Sequence, residues 1–129
     1  MAKRKAIYVE GFGHKNPIPA ASRVGNVVAS GIIYGLDIAT GKPAATLDAQ
    51  AKLMFQHLRA IVDAAGGTLD DIVKLSVWLA DRSNREAVNR EWLAMFPEPA
   101  TRPARQTMQA EMTPGILVQC DFLAVIEDR

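Results

Sequence analysis

Apolar residues along the chain change their spacing several times, and each spacing predicts a different element. From Thr46 they recur at helical intervals, which predicts an amphipathic helix with Thr46 as N-cap and Gly66 as its stop. The predicted apolar stripe consists of Leu47, Ala51, Met54, Leu58, Ile61, Val62 and Ala65. A second helix is predicted after Ser83, because Glu86 three residues later completes a capping-box pattern, and Pro97 ends it.

Shorter runs rich in β-branched and apolar residues predict strands in the rest of the chain. These runs are KAIYVE (5–10), VVASGIIYG (27–35), IVKLSVWL (72–79), ARQTMQAEM (104–112) and ILVQCDFLAVIE (116–127). Gly31 is expected to mark a bulge or a close backbone approach. Val73, Leu75, Val77 and Leu79 are expected on one face of their strand. The last two strands are expected to join at TPG (113–115), and the final one is apolar enough to be buried on much of both faces.

The order strand, strand, helix, strand, helix, strand, strand predicts an α+β fold in which both helices pack on one face of a mixed sheet. Residues 11–26 are expected to form an irregular loop because they are rich in glycine, proline and asparagine. No repeat or linker divides the 129 residues, so residues 1–129 are predicted to form a single domain. The uncovered, apolar face of the sheet predicts a homo-oligomer.

Charge and composition limit the kinds of partner that the protein can bind. The chain has 15 basic and 14 acidic residues, so it lacks the positive field that nucleic-acid binding requires. It shows no leader pattern and no run of membrane-spanning length, so we expect no membrane partner and a cytoplasmic location. The single cysteine, Cys120, cannot form an internal disulfide or a multi-cysteine metal site, and its spacing predicts a small buried side chain.

The stretch TRPARQTM (101–108) places a rigid proline and a small alanine directly before Arg105. A solvated arginine needs no such preparation, whereas one that holds a planar anion in a fixed pose gains from a fixed backbone. Arg105 is therefore the candidate carboxylate ligand, and an interface salt bridge is the alternative. Arg102 in the same stretch is interpreted as a solvated or subunit-interface charge.

Several stretches together resemble the Rid family, also called YjgF or the reactive-intermediate deaminases. They are SGIIYG, TGKPAATLDAQ, AIVDAAGGTLDDIVKLSVWLAD, AVNREW, RPARQT and the closing strand, and the resemblance runs from about Val24 to Ile126. It implies a chorismate-mutase-like α+β fold and a homotrimer built around a β-barrel core, with active sites in the clefts between subunits. It also implies hydrolysis of enamines and imines such as 2-aminoacrylate to 2-oxo acids and ammonia, without a metal or organic cofactor.

The resemblance assigns roles to residues one by one. Arg105 matches the family position that holds the substrate carboxylate, and the backbone near Gly31 and Thr107 matches positions that add hydrogen bonds. Asn89 matches a position that lines the cleft, although a helix-surface amide is the simpler account. Tyr34 either contacts the ligand or only ends a strand.

Two positions depart from the family pattern. Gln119 stands where the well-studied deaminases carry a glutamate that is thought to position the attacking water. A glutamine can hold water through its carbonyl oxygen but cannot take up a proton near neutral pH. The family's N-terminal-loop tyrosine is also absent, and His14 lies in that loop as a further candidate or as a simple loop residue.

Three function classes follow. The first is an enamine or imine deaminase that acts on a small carboxylate-bearing imine, either 2-aminoacrylate-like or the substrate of a different catabolic pathway. The second is a non-catalytic trimer that binds small carboxylates. The third is a ribonuclease, which the near-zero charge and the lack of an evident acid–base pair disfavour.

Overall fold

The computed structural model describes residues 3–127, in which two helices cover one face of a seven-stranded mixed sheet. This confirms the predicted α+β class. The helices are α1 (Leu47–Ala64) and α2 (Glu86–Met95). The strands of the sheet are β1 (Arg4–Ile7), β2 (Ala21–Val24), β3 (Val27–Ser30), β4 (Ile33–Tyr34), β7 (Ile72–Leu79), β8 (Ala104–Gln109) and β9 (Val118–Val125), and a separate two-stranded ribbon is formed by β5 (Leu36–Asp37) and β6 (Lys42–Pro43).

The strand order β1-β2-β3-β9-β7-β8 puts β8 at one edge of the sheet, and β4 continues the line of β3 beside β9. The sheet is antiparallel except for the pair β7 and β8, which is parallel. A parallel pair needs a crossover, and α2 provides it. TPG (113–115) lies in the connection between β8 and β9, as expected, but the two strands are not neighbours in the sheet because β7 lies between them.

The predicted ends of α1 are confirmed. The Thr46 hydroxyl accepts the Ala49 backbone N–H at 3.2 Å, and Gly66 follows the helix with a φ of 86°. This left-handed conformation suits glycine and lets the backbone leave the helix while its last carbonyls stay hydrogen-bonded.

The predicted start of α2 is wrong. Arg85 is the N-cap, and it makes no side-chain capping bond. The Ser83 hydroxyl instead donates to Asp81 Oδ1 at 2.6 Å, because the nearby carboxylate is a charged acceptor. These hydrogen bonds from Ser83 lower the pKa of the Asp81 carboxyl.

Two strand predictions also need correction. The expected loop at 11–26 contains β2, which forms a hairpin with β3 through a turn where Gly25 has a φ of 57°. Val73 does not share the buried face of β7, since an irregularity between Ile72 and Lys74 leaves it 49% exposed. A local bulge of this kind shifts the alternation and leaves no composition signal.

The two faces of β9 differ in burial. Val118 and Cys120 are fully buried against the helices, which confirms the packing predicted for Cys120. Burial raises the pKa of the Cys120 thiol. On the opposite face Leu123 and Val125 are 40% and 43% exposed, so within one chain the final strand is not buried on both faces.

A close backbone contact joins Gly35, which follows β4, to Gln50 of α1. A Cβ atom added to Gly35 would lie 2.4 Å from Cα and O of Gln50, so only glycine allows this approach. The Gln50 side chain is buried and hydrogen-bonds the backbone of Ala44, Gly115 and Leu117. It thereby fixes the loops at one end of the sheet. Across residues 3–127 no helix has the length and apolarity needed to cross a membrane.

Candidate functional site

The predicted carboxylate ligand, Arg105, lies on the edge strand β8 and is held by three side chains. Its Nε donates to Thr107 Oγ1 at 3.1 Å, and its Nη2 donates to Asn89 Oδ1 at 2.7 Å. The guanidinium Cζ lies 5.1 Å from the centroid of the Trp92 ring, a cation–π arrangement. The structure therefore brings together Arg105, Thr107 and Asn89, three of the predicted site residues.

Helix α2 and strand β8 build this site by their natural periodicities. Arg85, Asn89 and Trp92 follow one another at four and three residues, so they share one side of the helix end. Arg105 and Thr107 are two residues apart and share one face of β8. This is the helix-covered face, because Arg105 pairs in register with the fully buried Leu75.

Arg102 positions the start of β8. Its Nε donates to the Phe96 carbonyl at 2.8 Å, and its Nη2 donates to the Pro97 carbonyl at 3.3 Å. These bonds satisfy carbonyls at the C-terminal end of α2, where a positive charge is also favourable. The interpretation of Arg102 as a solvated charge is therefore wrong within the chain, since it ties the helix end to the strand that carries Arg105.

The electrostatics of Arg105 suit an anionic ligand. Partial burial lowers the pKa of the guanidinium, and the charge of Arg85 lowers it further. Among residues 3–127, no carboxylate oxygen lies within 4.0 Å of either guanidinium, and the ion pair there is Arg90–Asp48 on the outer surface of α2. The Nη1 of Arg105 makes no hydrogen bond to residues 3–127, so Arg105 keeps donors that can hold a carboxylate.

Gln119 lies on the other face of the sheet. It alternates with the buried Val118 and Cys120, and it pairs in register with Trp78 and Tyr34. Because adjacent residues of a strand point to opposite faces, Gln119 and Arg105 lie on opposite sides of the sheet. One chain does not bring these two predicted residues together.

The rings of Tyr34, in β4, and of His14 both pack against Phe12, which lies in the N-terminal loop. The Phe12 ring is 5.5 Å from the Tyr34 ring and 5.3 Å from the His14 ring, measured between centroids. His57 is buried, with its ring 5.0 Å from the Phe12 ring between centroids and its Nε2 2.8 Å from the Leu36 carbonyl oxygen. His14 Nε2 is buried and has no hydrogen-bond partner in the described part of the chain. Tyr34 therefore connects this aromatic cluster to Gln119.

Gly31 interrupts the line of β3 and β4, as its position predicted. Its N–H donates to the Ala20 carbonyl at 2.9 Å, and its carbonyl accepts the Ser30 hydroxyl at 2.8 Å. The Ser30 hydroxyl also accepts a hydrogen bond from the Phe122 backbone N–H at 2.9 Å. This bond satisfies a backbone donor of β9 at the point where its pairing with β3 ends. The Gly31 N–H is thus already used within the chain, and its carbonyl keeps one free lone pair for a ligand.

The cavity beside the end of β8 offers less to an anion. A cavity of about 480 Å³ is lined by Gln109 and loop 110–116, where the one ionisable side chain is Glu111. This cavity provides no cation for a carboxylate. No three His, Cys, Asp or Glu side chains of residues 3–127 are grouped so that they could share a metal ion.

The family model described as Endoribonuclease L-PSP matches residues 18–126. The chain belongs to the Rid (YjgF) family. Among its relatives is a 2-iminobutanoate/2-iminopropanoate deaminase of Salmonella typhimurium, which is 36% identical over 77% of this chain and 78% of the relative.

Solved structures of Rid proteins have the same fold. RidA from the Antarctic bacterium Psychrobacter matches with a TM-score of 0.86 and 31% identity, and the match covers 95% of this chain and 99% of RidA. The Escherichia coli TdcF with bound serine matches with a TM-score of 0.86 and 25% identity over 95% and 99% of the two chains. The helix-covered sheet described above is therefore the Rid fold.

Trp92 contacts Arg105, a role that the sequence pattern does not predict. Its helical spacing with Val88, Met95 and Phe96 indicates only the apolar side of the second helix. Its ring is buried, yet one face is available to the Arg105 guanidinium. The signal was available as the spacing of Asn89 and Trp92, because residues three apart on a helix neighbour each other.

Proposed function

We propose that this protein is a cofactor-independent enamine or imine deaminase acting on a small carboxylate-bearing imine. In the reaction the oxygen of water bonds to the imine carbon, and the carbon–nitrogen bond then breaks. The nitrogen takes up the protons that water gives up and leaves as ammonia, and a 2-oxo acid remains. An enamine substrate first takes a proton on its β-carbon to give the iminium ion, which loses a proton from nitrogen to become the imine.

One observation carries this proposal: Arg105 is fixed by Asn89, Thr107 and Trp92 but has no carboxylate partner in the described chain. Holding the side chain in place before binding lowers the ordering cost of a two-point carboxylate contact. When Arg105 neutralises the carboxylate, the electron density at the neighbouring C=N carbon falls. That carbon therefore accepts water more readily. The Salmonella relative, named as an iminobutanoate and iminopropanoate deaminase, supports this chemistry.

The proposed active unit is a homotrimer with a β-barrel core, in the chorismate-mutase-like arrangement, and clefts between subunits. Gln119 and Arg105 lie on opposite sides of the sheet, so they can share a substrate only if they come from different copies. The exposed Val27, Leu123 and Val125 give the uncovered face the apolar character of an association surface. In this arrangement Arg105, Thr107 and Asn89 bind the carboxylate, and Gln119, Tyr34, His14 and the Gly31 carbonyl line the opposite wall.

Water handling is the step in which this chain differs from the pattern with glutamate. The Gln119 amide can orient a water molecule through its oxygen, but it does not accept the proton. We propose that the imine nitrogen takes up the proton instead. A non-catalytic trimer that binds small carboxylates is the second candidate. The group of Arg105, Thr107 and Asn89, called the clamp below, would bind the carboxylate equally well without a reaction, and Gln119 supplies no base.

A ribonuclease activity, as in the description of the family model, has less support. The sequence contains two histidines, and both rings contact Phe12 instead of facing each other across an open surface. The cytoplasmic location stays a prediction.

Arg105→Lys tests the clamp. The lysine keeps the charge but loses the planar two-donor geometry, so 2-oxobutanoate should bind about tenfold more weakly in calorimetry. Hydrolysis of an imine generated freshly from an amino acid by an amino-acid oxidase should fall with it, after subtraction of the spontaneous reaction. Arg59→Lys on the exposed side of α1 is the control. Unchanged affinity in a folded Arg105→Lys protein would place the ligand site elsewhere.

A further inference from the structure

Arg85 stands close to the proposed carboxylate clamp and has no assigned role. It is the N-cap of α2, and its carbonyl accepts the Asn89 backbone N–H at 2.9 Å. Asn89 in turn holds Nη2 of Arg105 at 2.7 Å. Arg85 is therefore one helical turn from the residue that fixes the clamp, on the side of the helix end that also carries Asn89 and Trp92.

The course of α2 along β8 gives the direction of this second charge. Arg102 hydrogen-bonds the carbonyls of Phe96 and Pro97, which follow the C-terminal end of α2. Arg105 hydrogen-bonds Asn89, which is nearer the start of the helix. Beyond the N-terminal end of α2, the Arg82 backbone N–H donates to Gln109 Oε1 at 3.0 Å. The helix and the strand thus run antiparallel, and Arg85 falls beside β8 between the levels of Arg105 and Gln109.

The face of β8 along this path is polar. Arg105, Thr107 and Gln109 alternate onto the same face, so Thr107 lies between the clamp and the end of the strand. The Arg85 Nε donates to the Arg82 carbonyl at 2.9 Å, which bends the side chain back toward its own loop. The Nη groups of Arg85 make no hydrogen bond to residues 3–127, so they remain available as donors.

Two like charges near each other repel, and a carboxylate between them would offset the repulsion. Within residues 3–127 no carboxylate lies within 4.0 Å of Arg85 or Arg105, although one arginine of the same helix, Arg90, is paired with Asp48. Burial lowers the pKa of Arg105, and the positive charge of Arg85 lowers it further. A ligand with two negative groups would relieve the repulsion at both positions.

We propose that Arg85 forms a second anion subsite beside Arg105, and that the substrate is a 2-imino acid whose side chain ends in a second carboxylate. The class includes the imines of acidic amino acids. Arg105 holds the carboxylate next to the reacting carbon, and Arg85 holds the distal one across Thr107. The inference rests on the proposed function, because it extends the same clamp.

The test compares two stable 2-oxo acids that differ in the second carboxylate, 2-oxobutanoate and 2-oxoglutarate, by calorimetry on the assembled protein. The wild type should bind 2-oxoglutarate about tenfold more tightly, because a charge-assisted contact is added. Arg85→Gln should remove this preference and change 2-oxobutanoate affinity by less than about twofold. Arg85→Lys should keep part of the preference, since it keeps the charge.

Arg90→Gln is the matched control, because it removes the same charge from the same helix on the side that faces Asp48. Its preference should equal that of the wild type. Equal affinity of the wild type for the two acids, or a preference that survives in Arg85→Gln, would overturn the second subsite and leave the Arg105 clamp intact. Weaker self-association of Arg85→Gln with an unchanged preference would also overturn it, since Arg85 would then pair with another copy.

The same variants separate this inference from the proposed function in an activity assay. Imines generated by oxidases from alanine and from glutamate should be hydrolysed by the wild type, with higher kcat/KM for the second. Arg85→Gln should lose about tenfold on the glutamate-derived imine only, whereas Arg105→Lys should lose activity on both. Absence of hydrolysis and of binding for both ligand types would contradict the proposed function itself.

Discussion

The two faces of the sheet differ in how fully one chain packs them. On the helix side Val28, Leu75 and Val118 are 0% exposed, whereas Val27, Leu123 and Val125 on the other side are 40% exposed or more. The first face therefore supplies the core of a single chain, and Arg105 stands at its edge. The second face has apolar surface and Gln119 but no cover in the described structure. Stability of the single chain and completion of the proposed site therefore depend on different faces of the sheet.

The largest expected effect comes from disturbing the packed face. Gly35→Ala would place a methyl group against the backbone of Gln50, so it should destabilise the protein by about 3 kcal/mol or prevent folding. Chemical denaturation at fixed protein concentration measures the change. Gly13→Ala is the control, because an added Cβ there meets nothing within 4 Å. A small effect in Gly35→Ala would show that β4 and α1 can move apart at little cost.

The next effect concerns the uncovered face. Leu123→Lys places a charge in the proposed subunit contact, so it should shift the protein from trimers to single chains while the circular dichroism spectrum is kept. Sedimentation velocity measures the shift. Leu93→Lys on α2 is the control, since Leu93 is similarly exposed at 51% but lies on a helix. A variant that still assembles as the wild type does would remove this face from the interface.

Gln119→Glu tests whether the uncovered face contributes to catalysis. A carboxylate can accept a proton from water, so the rate of imine hydrolysis should rise by about tenfold or more, while 2-oxobutanoate affinity hardly changes. Repulsion from the substrate carboxylate, or protonation of the new acid in an apolar setting, would mask the gain. Rates are therefore measured across pH on the same freshly generated imine.

Gln106→Glu on the exposed part of β8 is the control for the added charge. If Gln119→Glu folds, assembles and binds normally but gains no rate at any pH, Gln119 does not replace a catalytic acid. The binding trimer, or water handling by His14, then becomes the better interpretation.

The smallest effect is expected from Asp121 on the uncovered face. Partial burial raises the pKa of this carboxyl, against the opposing effect of Lys74. A raised folded-state pKa means that the contribution of Asp121 to stability is fully present below its unfolded pKa, about 3.9, and is lost as pH rises through the folded value. Asp121→Asn should therefore be more stable than the wild type at pH 7, by less than about 1 kcal/mol because solvent screens the charge.

Urea unfolding at pH 7 and at low pH, with equal protein concentrations, measures this difference. The advantage of Asp121→Asn should shrink at low pH, where the wild-type carboxyl is protonated. A destabilised variant at pH 7 would mean that Lys74 stabilises the charged form more than burial disfavours it.

The sequence by itself determined the features that rest on local periodicity. The helical stripe from Leu47, the Thr46 cap and the Gly66 stop are written in residues within a few positions of each other, so no distant contact can change them easily. The Rid motif likewise predicted Arg105 as the carboxylate ligand, which stays a proposal, and the structure shows that Asn89 contacts it.

Only the tertiary structure decided where the site residues stand relative to one another. The strand order and the register of β9 place Gln119 and Arg105 on opposite faces, and both depend on pairing between residues far apart in the chain. The β2 hairpin and the bulge at Val73 were missed for the same reason, because partner strands stabilise them. The contacts of Arg105 with Trp92 and its proximity to Arg85 also arise only when α2 crosses back over the sheet and lies beside β8. The sequence specifies which side chain stands at each position, whereas the packing of distant segments determines which side chains it contacts.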